Sequence, residues 1–473
     1  MNRFFLFIAT ILFSLFLSGN VFSHSFAKYH IVIDTDGGID DFRAITYFMA
    51  SKDFNINCIS TVDGVLTPNR SANYFSQILS IYHHEGIPIG EGKETKAPKQ
   101  YSNHALALWE KFFQKLITKK FPDATNLLYN SIINNNNRTI IIALGPLSNI
   151  TELIKTHEDI IQKIDYILWY SDYDKNPLGY NYQADTVAFN FLIKKNILFK
   201  LVNAKGLQLS ENFLNDCNEI KSIYSETMVR FFKPTQEKQY VWDDFLPLYL
   251  LYPLEFDEIF VSNNLTKISL KKETYFEYLI TTILNSDKKD INVIFNTIPT
   301  SGFMLQKDIN SVVDSLIEKH GYTEYKLCCL TSEIHSHLGI YSIIGAKLGL
   351  RILEYLHTGL DEIRIESHAG SEPPISCFND GLQVGTGATL GYGTFSVIKI
   401  SQAKTEVVVS YNNRKYLFKL KNNIDNEISN KTDDLIKLYG YNTDMYWLKL
   451  RELAIEYWLE LNRFEIFEIT EII

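Results

Sequence analysis

Apolar and polar positions alternate with two different periods in the first half of the chain. Tyr29 to Ile33 and Asn57 to Val62 are short apolar runs that predict strands, and Asp41 to Ser51, between them, has the spacing of an amphipathic helix. The alternation continues to about residue 210. It predicts an α/β fold in which a mostly parallel sheet is flanked by helices.

A further predicted strand, Thr139 to Leu144, runs into the turn Gly145 to Asn149. Ser148 is a candidate N-cap for a helix that begins near Asn149. We expect the carboxyl end of this strand to lie beside that of the first strand. Ligands bind outside the carboxyl ends of strands in open α/β sheets, so both turns indicate one crevice.

The pattern restarts beyond a boundary near Gly321, which predicts a second, smaller α+β domain. The polar segment Asn285 to Asp290 is interpreted as a loop, because another strand is predicted directly after it at Ile291 to Phe295. Beyond Gly321 the predicted elements are a strand at Tyr325 to Leu330, a helix at Ile340 to Leu356, strands at Glu362 to Ser367 and Phe395 to Ile400, a hairpin at Glu406 to Leu420 with its turn at Asn412-Asn413, and a helix at Asp444 to Leu461.

Length and charge narrow the class of protein. A chain of 473 residues exceeds the roughly 250 to 300 residues that one hydrophobic core supports, so two domains are expected, at residues 29–320 and 322–470. A hydrophobic fraction of 46% with 21% charged residues is typical of a globular protein. The net charge is -9, and the sequence has no long run of Lys and Arg that would form a concentrated basic surface. No nucleic-acid partner is therefore expected. Homo-oligomer formation is left open.

Residues 1–23 have the pattern of a secretory signal peptide. Arg3 precedes an apolar run from Phe4 to Leu17, and Val21 to Ser23 suit a cleavage site. An exported protein is expected, periplasmic or secreted and free of the membrane after cleavage. An uncleaved anchor is the alternative, although the run is shorter than the ~20 residues that span a bilayer. The five cysteines are too sparse, and odd in number, for a disulfide framework.

Four carboxylates fall within the eight residues from Asp34 to Asp41, directly after the first predicted strand. Such crowding raises proton affinity unless a cation or hydrogen-bond donors neutralise it. Gly37 and Gly38 permit a tight turn that lets flanking side chains converge, and Ca²⁺ takes about six to eight oxygen ligands. The segment therefore predicts a hard-cation site. The alternative is a solvated acidic turn that caps the following helix.

Asp34 to Asp41 reads D-T-D-G-G-I-D-D and resembles the D-x-D-P-G-x-D-D signature of the inosine/uridine-preferring nucleoside hydrolase family. A-L-G-P-L-S-N at Ala143 to Asn149 resembles the family's T-G-P-L-T-N, and W-D-D-F-L-P-L-Y-L-L-Y-P at Trp242 to Pro253 resembles its H-D-P-x-A-V-A-Y-x-x-x-P. The motifs occur in the family's order. The resemblance covers residues 29–320 and implies a Rossmann-like domain that hydrolyses N-glycosidic bonds of ribonucleosides.

The resemblance also implies roles for individual residues. Asp36, Asp41 and Asp243 would ligate Ca²⁺ through their carboxylates, and Leu144 through its backbone carbonyl. Asp36 would also act as general base on a calcium-bound water that attacks the anomeric carbon. Asp40 would hydrogen-bond a ribose hydroxyl, while the carboxylates stabilise oxocarbenium-like charge. The implied partner is a small-molecule substrate, a nucleoside or related N-riboside.

The pocket for base and sugar departs from the family pattern. Trp242 stands where the family has a histidine, and its aromatic face could stack on a base. Asn190 is retained from the family's G-N-x-x-x-x-A-E-F-N, but the glutamate has become Ala188, and Gly64 replaces an asparagine. The candidate substrate-binding residues are Asp40, Asn190, Trp242, Asn181 (one position out of register) and His104, for which a solvated loop histidine is the alternative.

Residues 322–470 resemble the FmdE-like family, named for a formylmethanofuran dehydrogenase subunit. His335 to Tyr341 reads H-S-H-L-G-I-Y against the family's H-G-H-L-C-P-G. Cys377 to Gly393 follows its C-x-x-D-A-I-Q-x-x-T-G-C-T-x-G-x-G. Cys328-Cys329 lies on a predicted buried strand, where packing is the expected role.

Three residues of these motifs form a candidate metal site in the second domain. His335, His337 and Cys377 would suit Zn²⁺ or another borderline metal with an open coordination position. Because Gly339 and Ala388 replace two family cysteines, a vestigial or purely structural site is the alternative.

The sequence leaves more than one function open. The leading hypothesis is calcium-dependent hydrolysis of the N-glycosidic bond of a ribonucleoside or related N-riboside by a metal-activated water. The alternative is a catalytically eroded calcium- or nucleoside-binding protein whose activity resides in the metal-binding FmdE-like domain. Asp36 favours the enzyme, whereas Ala188, Gly64 and Trp242 favour the binding protein. A hydrolase for a sugar substrate without a 5'-hydroxyl contact is a third hypothesis.

Overall fold

The computed structural model describes residues 27–95, 101–115, 117–171, 179–203, 207–232, 239–272, 276–285, 294, 297–359, 362–399 and 401–472. The signal peptide expected at residues 1–23 lies outside these ranges. So do most residues of the loop and strand expected between Asn285 and Phe295. Within the described ranges, none of the helices combines the length and the apolar character that crossing a bilayer requires.

The first part of the chain folds around a mostly parallel sheet. Its strands are β1 (Tyr29–Thr35), β2 (Phe54–Thr61), β3 (Ile89–Glu91), β4 (Thr139–Ala143), β5 (Ile164–Tyr170), β6 (Phe199–Val202), β9 (Phe256–Ser262) and β10 (Leu265–Leu270), with β7 (Leu207–Gln208) and β8 (Tyr240–Val241) in a separate ribbon. Among the described residues, eight strands pair in the order β3-β2-β1-β4-β5-β6-β10-β9, and only β9 and β10 are antiparallel to each other. The predicted α/β fold class is confirmed.

Strand β1 is central and buried on both faces. Ile31 and Ile33 pack into the core on one side of the sheet, and Val32 packs into the core on the other. This explains the continuous apolar run, which is typical of parallel strands covered by helices. Asp34 pairs with Ser60 on β2 and with Ala143 on β4. The carboxyl ends of the predicted strands are therefore adjacent, as expected.

Helices cover both faces of this sheet. They are α1 (Ile39–Ala50), α2 (Pro68–Ile81), α3 (Asn103–Phe113), α4 (Ala124–Ile133), α5 (Ser148–Thr156), α6 (Tyr180–Ala184), α7 (Thr186–Leu192), α8 (Phe213–Ile220), α9 (Ile223–Phe232), α10 (Phe245–Leu251) and α11 (Phe276–Leu284). The prediction that Ser148 caps α5 is wrong. Ser148 is the first helical residue, and its hydroxyl donates instead to the Asp185 carboxylate at 2.7 Å.

The second part of the chain has its own sheet and core. Strands β11 (Arg364–Ser367), β12 (Phe395–Val397), β13 (Glu406–Tyr411), β14 (Arg414–Leu420) and β15 (Phe467–Ile472) pair in the order β12-β11-β13-β14-β15. The helices are α12 (Lys307–Asn310), α13 (Val313–His320), α14 (Tyr322–Ile334), α15 (Ile340–Leu356), α16 (Phe378–Thr386), α17 (Asn422–Tyr439) and α18 (Asp444–Glu460). Asn412 and Asn413 form the predicted hairpin turn with positive φ angles of 48° and 59°.

One element of this part was predicted wrongly. The run from Tyr325 to Leu330 lies inside helix α14 rather than in a strand. The buried side chains Tyr325, Cys328 and Thr331 recur every three residues, which is helical spacing, and the apolar run concealed it. Cys328-Cys329 is accordingly a helical pair, with Cys328 buried and Cys329 half-buried. All five cysteines are free, as expected for a chain without a disulfide framework.

Glycines bring α15 and α16 unusually close together. A Cβ atom at Gly345 would lie 2.1 Å from the Phe378 carbonyl oxygen, and one at Gly381 would lie 2.0 Å from the Ser342 carbonyl oxygen. Only glycine permits this backbone contact. The packing fixes the beginning of α16 beside the segment that leads into α15, so two sequence motifs of the second domain meet.

Candidate functional site

The acidic motif lies where β1 ends and α1 begins. Asp36 and Gly37 occupy the turn, and Asp40 and Asp41 lie in the first turn of the helix, where its dipole favours negative charge. Gly37 has a φ of +85°, and its carbonyl accepts a hydrogen bond from the Trp109 indole at 3.0 Å. The turn is thereby held by the surrounding core.

Three carboxylates converge at this turn. Single oxygen atoms from Asp40, Asp41 and Asp243 all lie within 4.8 Å of one another. Asp41 and Asp243 are buried, and Asp40 is half-buried. The sequence predicted Asp36, rather than Asp40, as the third member of this group. Asp36 is nevertheless adjacent, since its backbone amide donates to Asp41 Oδ2 at 3.0 Å.

Burial and mutual repulsion outweigh the hydrogen-bond donors that the protein supplies to the cluster. Burial, followed by repulsion from neighbouring carboxylates, raises the pKa of Asp36 and of Asp243 well above the ordinary value, and raises that of Asp40 to about 7. Asp243 Oδ1 is buried without a hydrogen-bond partner among the described residues. A buried carboxylate oxygen without a donor is costly. Hard oxygen donors that repel one another fit Ca²⁺.

Asp41 organises the turn through a single oxygen. Its Oδ2 accepts hydrogen bonds from the Thr35 hydroxyl and from the backbone amides of Asp36, at 3.0 Å, and Gly37, at 3.3 Å. These bonds fix the orientation of the carboxylate. Asp34, which precedes Thr35 on β1, accepts hydrogen bonds from the Ser60 hydroxyl at 2.6 Å and from Asn149 Nδ2 at 2.9 Å. Asp34 is thus held inside the sheet, behind the cluster.

Asp36 lies between two glycines. Its Oδ2 accepts a hydrogen bond from the Val65 amide at 3.1 Å. A Cβ at Gly64 would lie 2.2 Å from the same oxygen, and one at Gly145 would lie 2.8 Å from the Asp36 Cβ. The replacement of the family's asparagine by Gly64 therefore has a physical reason, because in this chain any side chain there would collide with Asp36.

A buried ion pair attaches the Asp243 loop to α1. Arg43 donates to both oxygens of Asp244, at 2.7 and 2.9 Å, and the two side chains are 2% and 0% exposed. The same guanidinium also bonds the Tyr240 carbonyl. This ion pair was not predicted from the sequence. The only feature that pointed to it is the second aspartate of the W-D-D motif, Asp244. The pair holds Asp243 against Asp40 and Asp41.

The remaining candidate residues differ in their exposure and in the contacts they make. The Leu144 amide donates to the Asp34 carbonyl at 2.8 Å, and the Leu144 carbonyl oxygen accepts a hydrogen bond from Asn181 Nδ2 at 3.0 Å. Trp242 is 38% exposed and stacks on Tyr240 with ring centroids 5.7 Å apart. Asn190 is exposed on α7, and no hydrogen bond joins it to the acidic cluster among the described residues. His104 is exposed at the beginning of α3.

A polar wall beside Asp36 was not predicted. Asp63 follows β2, and its carboxylate accepts hydrogen bonds from Thr95, at 2.7 and 2.9 Å, and from the Tyr101 hydroxyl at 3.0 Å. Burial and this carboxylate raise the pKa of Tyr101 to about 12. Tyr180 lies close enough that Asp36 and Asp63, after burial, raise its pKa. The position of Asp63 at a strand end was the available signal.

A second candidate site lies in the C-terminal part. His335, Cys377 and Asp380 line one cleft of about 320 Å³. His335 Nδ1 bonds Asp380 Oδ2 at 2.7 Å, and its Nε2 is buried with no hydrogen-bond partner among the described residues. Burial raises the pKa of the Cys377 thiol. His337 packs its ring against His335, with centroids 4.2 Å apart, and against Trp447.

Two protein families match this chain, each over a different part of it. The inosine-uridine preferring nucleoside hydrolase family matches residues 31–306, more than half of the 473 residues. The chain belongs to this family. A second family, described as FmdE, molybdenum formylmethanofuran dehydrogenase operon, matches residues 334–467. Both resemblances expected from the motifs are confirmed.

Individual relatives are distant. The chain is 23% identical over 236 residues to the uncharacterized protein C17G8.02 of Schizosaccharomyces pombe, covering 45% of this chain and 71% of that one. It is 27% identical over 150 residues to the pyrimidine-specific ribonucleoside hydrolase RihA of Shewanella baltica, covering 29% and 46%. For the non-specific ribonucleoside hydrolase RihC of Salmonella paratyphi A the values are 26% over 138 residues, 27% and 44%. The chain thus spans less than half the length of these two bacterial hydrolases.

Solved structures of nucleoside hydrolases also match. The inosine-uridine preferring nucleoside hydrolase from Bacillus anthracis gives a TM-score of 0.47 at 14% identity, covering 55% of this chain and 99% of that one. An inosine-guanosine nucleoside hydrolase gives 0.45 at 16% identity, covering 55% and 98%.

Proposed function

We propose that the protein hydrolyses the N-glycosidic bond of a ribonucleoside or related N-riboside in a calcium-dependent reaction. The observation that carries the proposal is the group of converging carboxylates of Asp40, Asp41 and Asp243, one of which has a buried oxygen without a partner among the described residues. Membership of the nucleoside hydrolase family and the likeness to RihA and RihC support the reaction type.

The donor set suggests how Ca²⁺ is held. Asp41 and Asp243 would bind it through carboxylates, and Asp36 would complete the set from the adjacent turn, with the Leu144 carbonyl as a further ligand. The Leu144 oxygen has a second lone pair besides the one that accepts from Asn181. When bound, Ca²⁺ supplies a positive charge that orients a water molecule and lowers its pKa.

The protein's own groups perform the remaining steps. Asp36 has a raised pKa and a fixed orientation, which suits a general base that removes a proton from the attacking water. Asp40, at the rim of the cluster, would accept a hydrogen bond from a ribose hydroxyl. The carboxylates together would stabilise positive charge on the ribosyl carbon as the bond breaks. Trp242, exposed and stacked on Tyr240, offers an aromatic face for the base.

The proposal is tested by reducing-sugar release from purine, pyrimidine and nicotinamide ribosides, with and without chelator. We expect release that chelator abolishes and that Asp36→Asn reduces by about a thousandfold or more, since the general base is lost. Asp165→Asn is the matched control, because Asp165 is an exposed aspartate on β5. It should leave the rate unchanged.

A calcium-binding protein without hydrolase activity is the second candidate function. Ala188, on the buried face of α7, packs into the core, and Gly64 has no side chain, so two family contacts to ribose are missing. Calcium binding by calorimetry without sugar release from any riboside would favour this candidate over the enzyme.

For the second domain we propose a borderline metal such as Zn²⁺ bound through His335 Nε2 and Cys377. Among the described residues, His335, His337 and Cys377 do not bring three ligand atoms within 4.8 Å of one another, so His337, the third residue of the sequence-based candidate site, is left out of this proposal. Asp380 fixes the His335 ring through Nδ1, which is the usual arrangement behind a metal-binding histidine. Gly339 lies beside this nitrogen, since a Cβ there would be 3.3 Å from His335 Nε2. If this site is purely structural and holds no metal, the protein should bind no zinc when zinc is added at a concentration equal to that of the protein.

A further inference from the structure

Two helices begin at the acidic site. Helix α1 carries Asp40 and Asp41 in its first turn. Helix α2 begins beside Asp36, because the amide of Leu66 and the hydroxyl of Ser71 both donate to the Asp36 backbone carbonyl, at 3.0 and 3.2 Å. The position of each helix therefore affects the position of a carboxylate in the site.

The far ends of both helices contact the second domain at one place, the carboxyl end of α15. His357, the residue after α15, bonds through Nε2 to the Met49 carbonyl in the last turn of α1 at 2.7 Å. Arg351 donates to the His83 carbonyl at 2.9 Å and pairs with Glu85 at 2.9 Å, directly after α2. One helix end thus touches the ends of two others.

His84 makes a third contact between the domains, next to those of Arg351 and His357. His84 lies between the domains, with Nδ1 bonded to the Glu354 carbonyl at 2.6 Å and Nε2 bonded to the Tyr224 hydroxyl at 2.7 Å. Its ring meets the His357 ring edge to face, with centroids 4.5 Å apart. Both histidines are buried, at 6% and 8% exposure, and burial lowers the pKa of both. Because carbonyls only accept, Nδ1 of His84 and Nε2 of His357 carry the protons.

The backbone fits closely at the same place. The Gly86 amide donates to the Tyr355 carbonyl at 2.9 Å, and a Cβ at Gly86 would lie 2.7 Å from that oxygen. Well-packed interiors move as units rather than deform continuously. A shift of α15 would therefore move the ends of α1 and α2 with it.

We propose that His84, Arg351 and His357, together called the brace, position α1 and α2 so that the acidic site keeps its geometry for calcium and substrate. The proposal rests on the proposed function of that site. The brace residues are positioning residues. Helix α1 transmits a displacement over its length of about 18 Å, and displacements of about 1 Å at a reacting centre reduce rates by about a hundredfold. The second domain is then part of the hydrolase rather than an independent attachment.

The test uses the full chain and measures Ca²⁺ affinity by calorimetry at pH 7.5. His357→Ala removes the contact to α1, and Arg351→Met removes the contact after α2. Each should weaken Ca²⁺ binding by about threefold or more, because a buried carbonyl loses its donor. His357→Gln should restore the wild-type affinity, since its amide can donate to the Met49 carbonyl. If the imidazole ring acted only by filling space, and not through its hydrogen bond, glutamine would not restore the affinity.

Asn412→Gly is the matched control. Asn412 also bonds across the domains, to Asn55 at 2.9 Å and Asn57 at 3.1 Å, but these residues lie on β2 rather than on α1 or α2. Glycine keeps the positive φ of this position. The variant should leave Ca²⁺ affinity unchanged. A loss equal to that of His357→Ala would overturn the brace and indicate general interface damage.

Amide hydrogen exchange provides a readout that does not depend on calcium. In His357→Ala, exchange should increase at residues 39–43 and 66–71, the beginnings of the two helices, and Asn412→Gly should leave it unchanged. Unchanged exchange there, with increased exchange only at residues 47–50, would overturn the brace. Wild-type protein that binds no Ca²⁺ would instead overturn the proposed function, and the exchange data would still decide on the brace.

Discussion

Replacing Asp243 by asparagine should change the stability of the protein in opposite directions with and without calcium. In the absence of a cation, the Asp243 carboxylate lies within 4.8 Å of those of Asp40 and Asp41, and one of its oxygens has no donor among the described residues. The asparagine side chain would keep the shape, remove one charge and offer an N–H to Asp41. Asp243→Asn should therefore be the more stable protein in chelator.

The magnitude follows from the geometry. Two unit charges 4.8 Å apart repel by about 3.5 kcal/mol at an effective dielectric constant of about 20. Partial protonation of the raised-pKa cluster reduces this value, so we expect a gain of roughly 2 kcal/mol in chelator at pH 8. Calcium at roughly one hundred times its Kd stabilises wild type by about 2.7 kcal/mol. The variant should lose most of that increment.

Urea denaturation at pH 8, with either 1 mM Ca²⁺ or chelator, measures both effects. The urea denaturation curves of wild type and Asp243→Asn should exchange order between the two conditions. Asp165→Asn, which changes an exposed aspartate, should follow wild type in both. If Asp243→Asn lowers the free energy of unfolding equally with and without calcium, the carboxylates are neutralised by the protein itself, and the cation site is refuted.

Four other substitutions or conditions test separate parts of the structure. Gly64→Ala should cost about 1 to 3 kcal/mol and most of the activity, because its Cβ would lie 2.2 Å from Asp36 Oδ2; an active, stable variant would contradict this placement. Burial raises the pKa of Asp34 from 3.8 to about 7, so the folded protein binds more protons than the unfolded chain in that interval, and calcium-free stability should fall as the pH rises from about 4 to 7, which thermal unfolding against pH measures. Arg43→Met should lose roughly 3 to 5 kcal/mol in urea denaturation because the buried Asp244 carboxylate would lose its cation; a near-neutral effect would show that Asp244 takes up a proton instead. His335→Ala should abolish binding of one zinc equivalent in an equilibrium competition assay, and retained zinc would place the metal elsewhere.

The fold followed the sequence where one local signal was sufficient. The apolar run of β1 and the helical spacing of α15 gave their elements directly, and Asn412-Asn413 gave its turn. The prediction failed at Tyr325 to Leu330, where a short apolar run is compatible with either element and tertiary packing selected the helix. Ser148 failed for a related reason, because Asp185, distant in sequence, takes its hydroxyl.

The sequence by itself determined which residues are acidic, that they follow a buried strand, and which families the two parts resemble. These are local properties, set by residue type and spacing. The family resemblance had already grouped Asp243 with Asp41. Tertiary structure alone decided that Asp40 joins them, that Gly64 must be small beside Asp36, and that α15 meets the ends of α1 and α2. Such contacts join residues up to about three hundred positions apart, as with His357 and Met49. Their partners are selected by the packing of whole elements, which no local pattern of residues specifies.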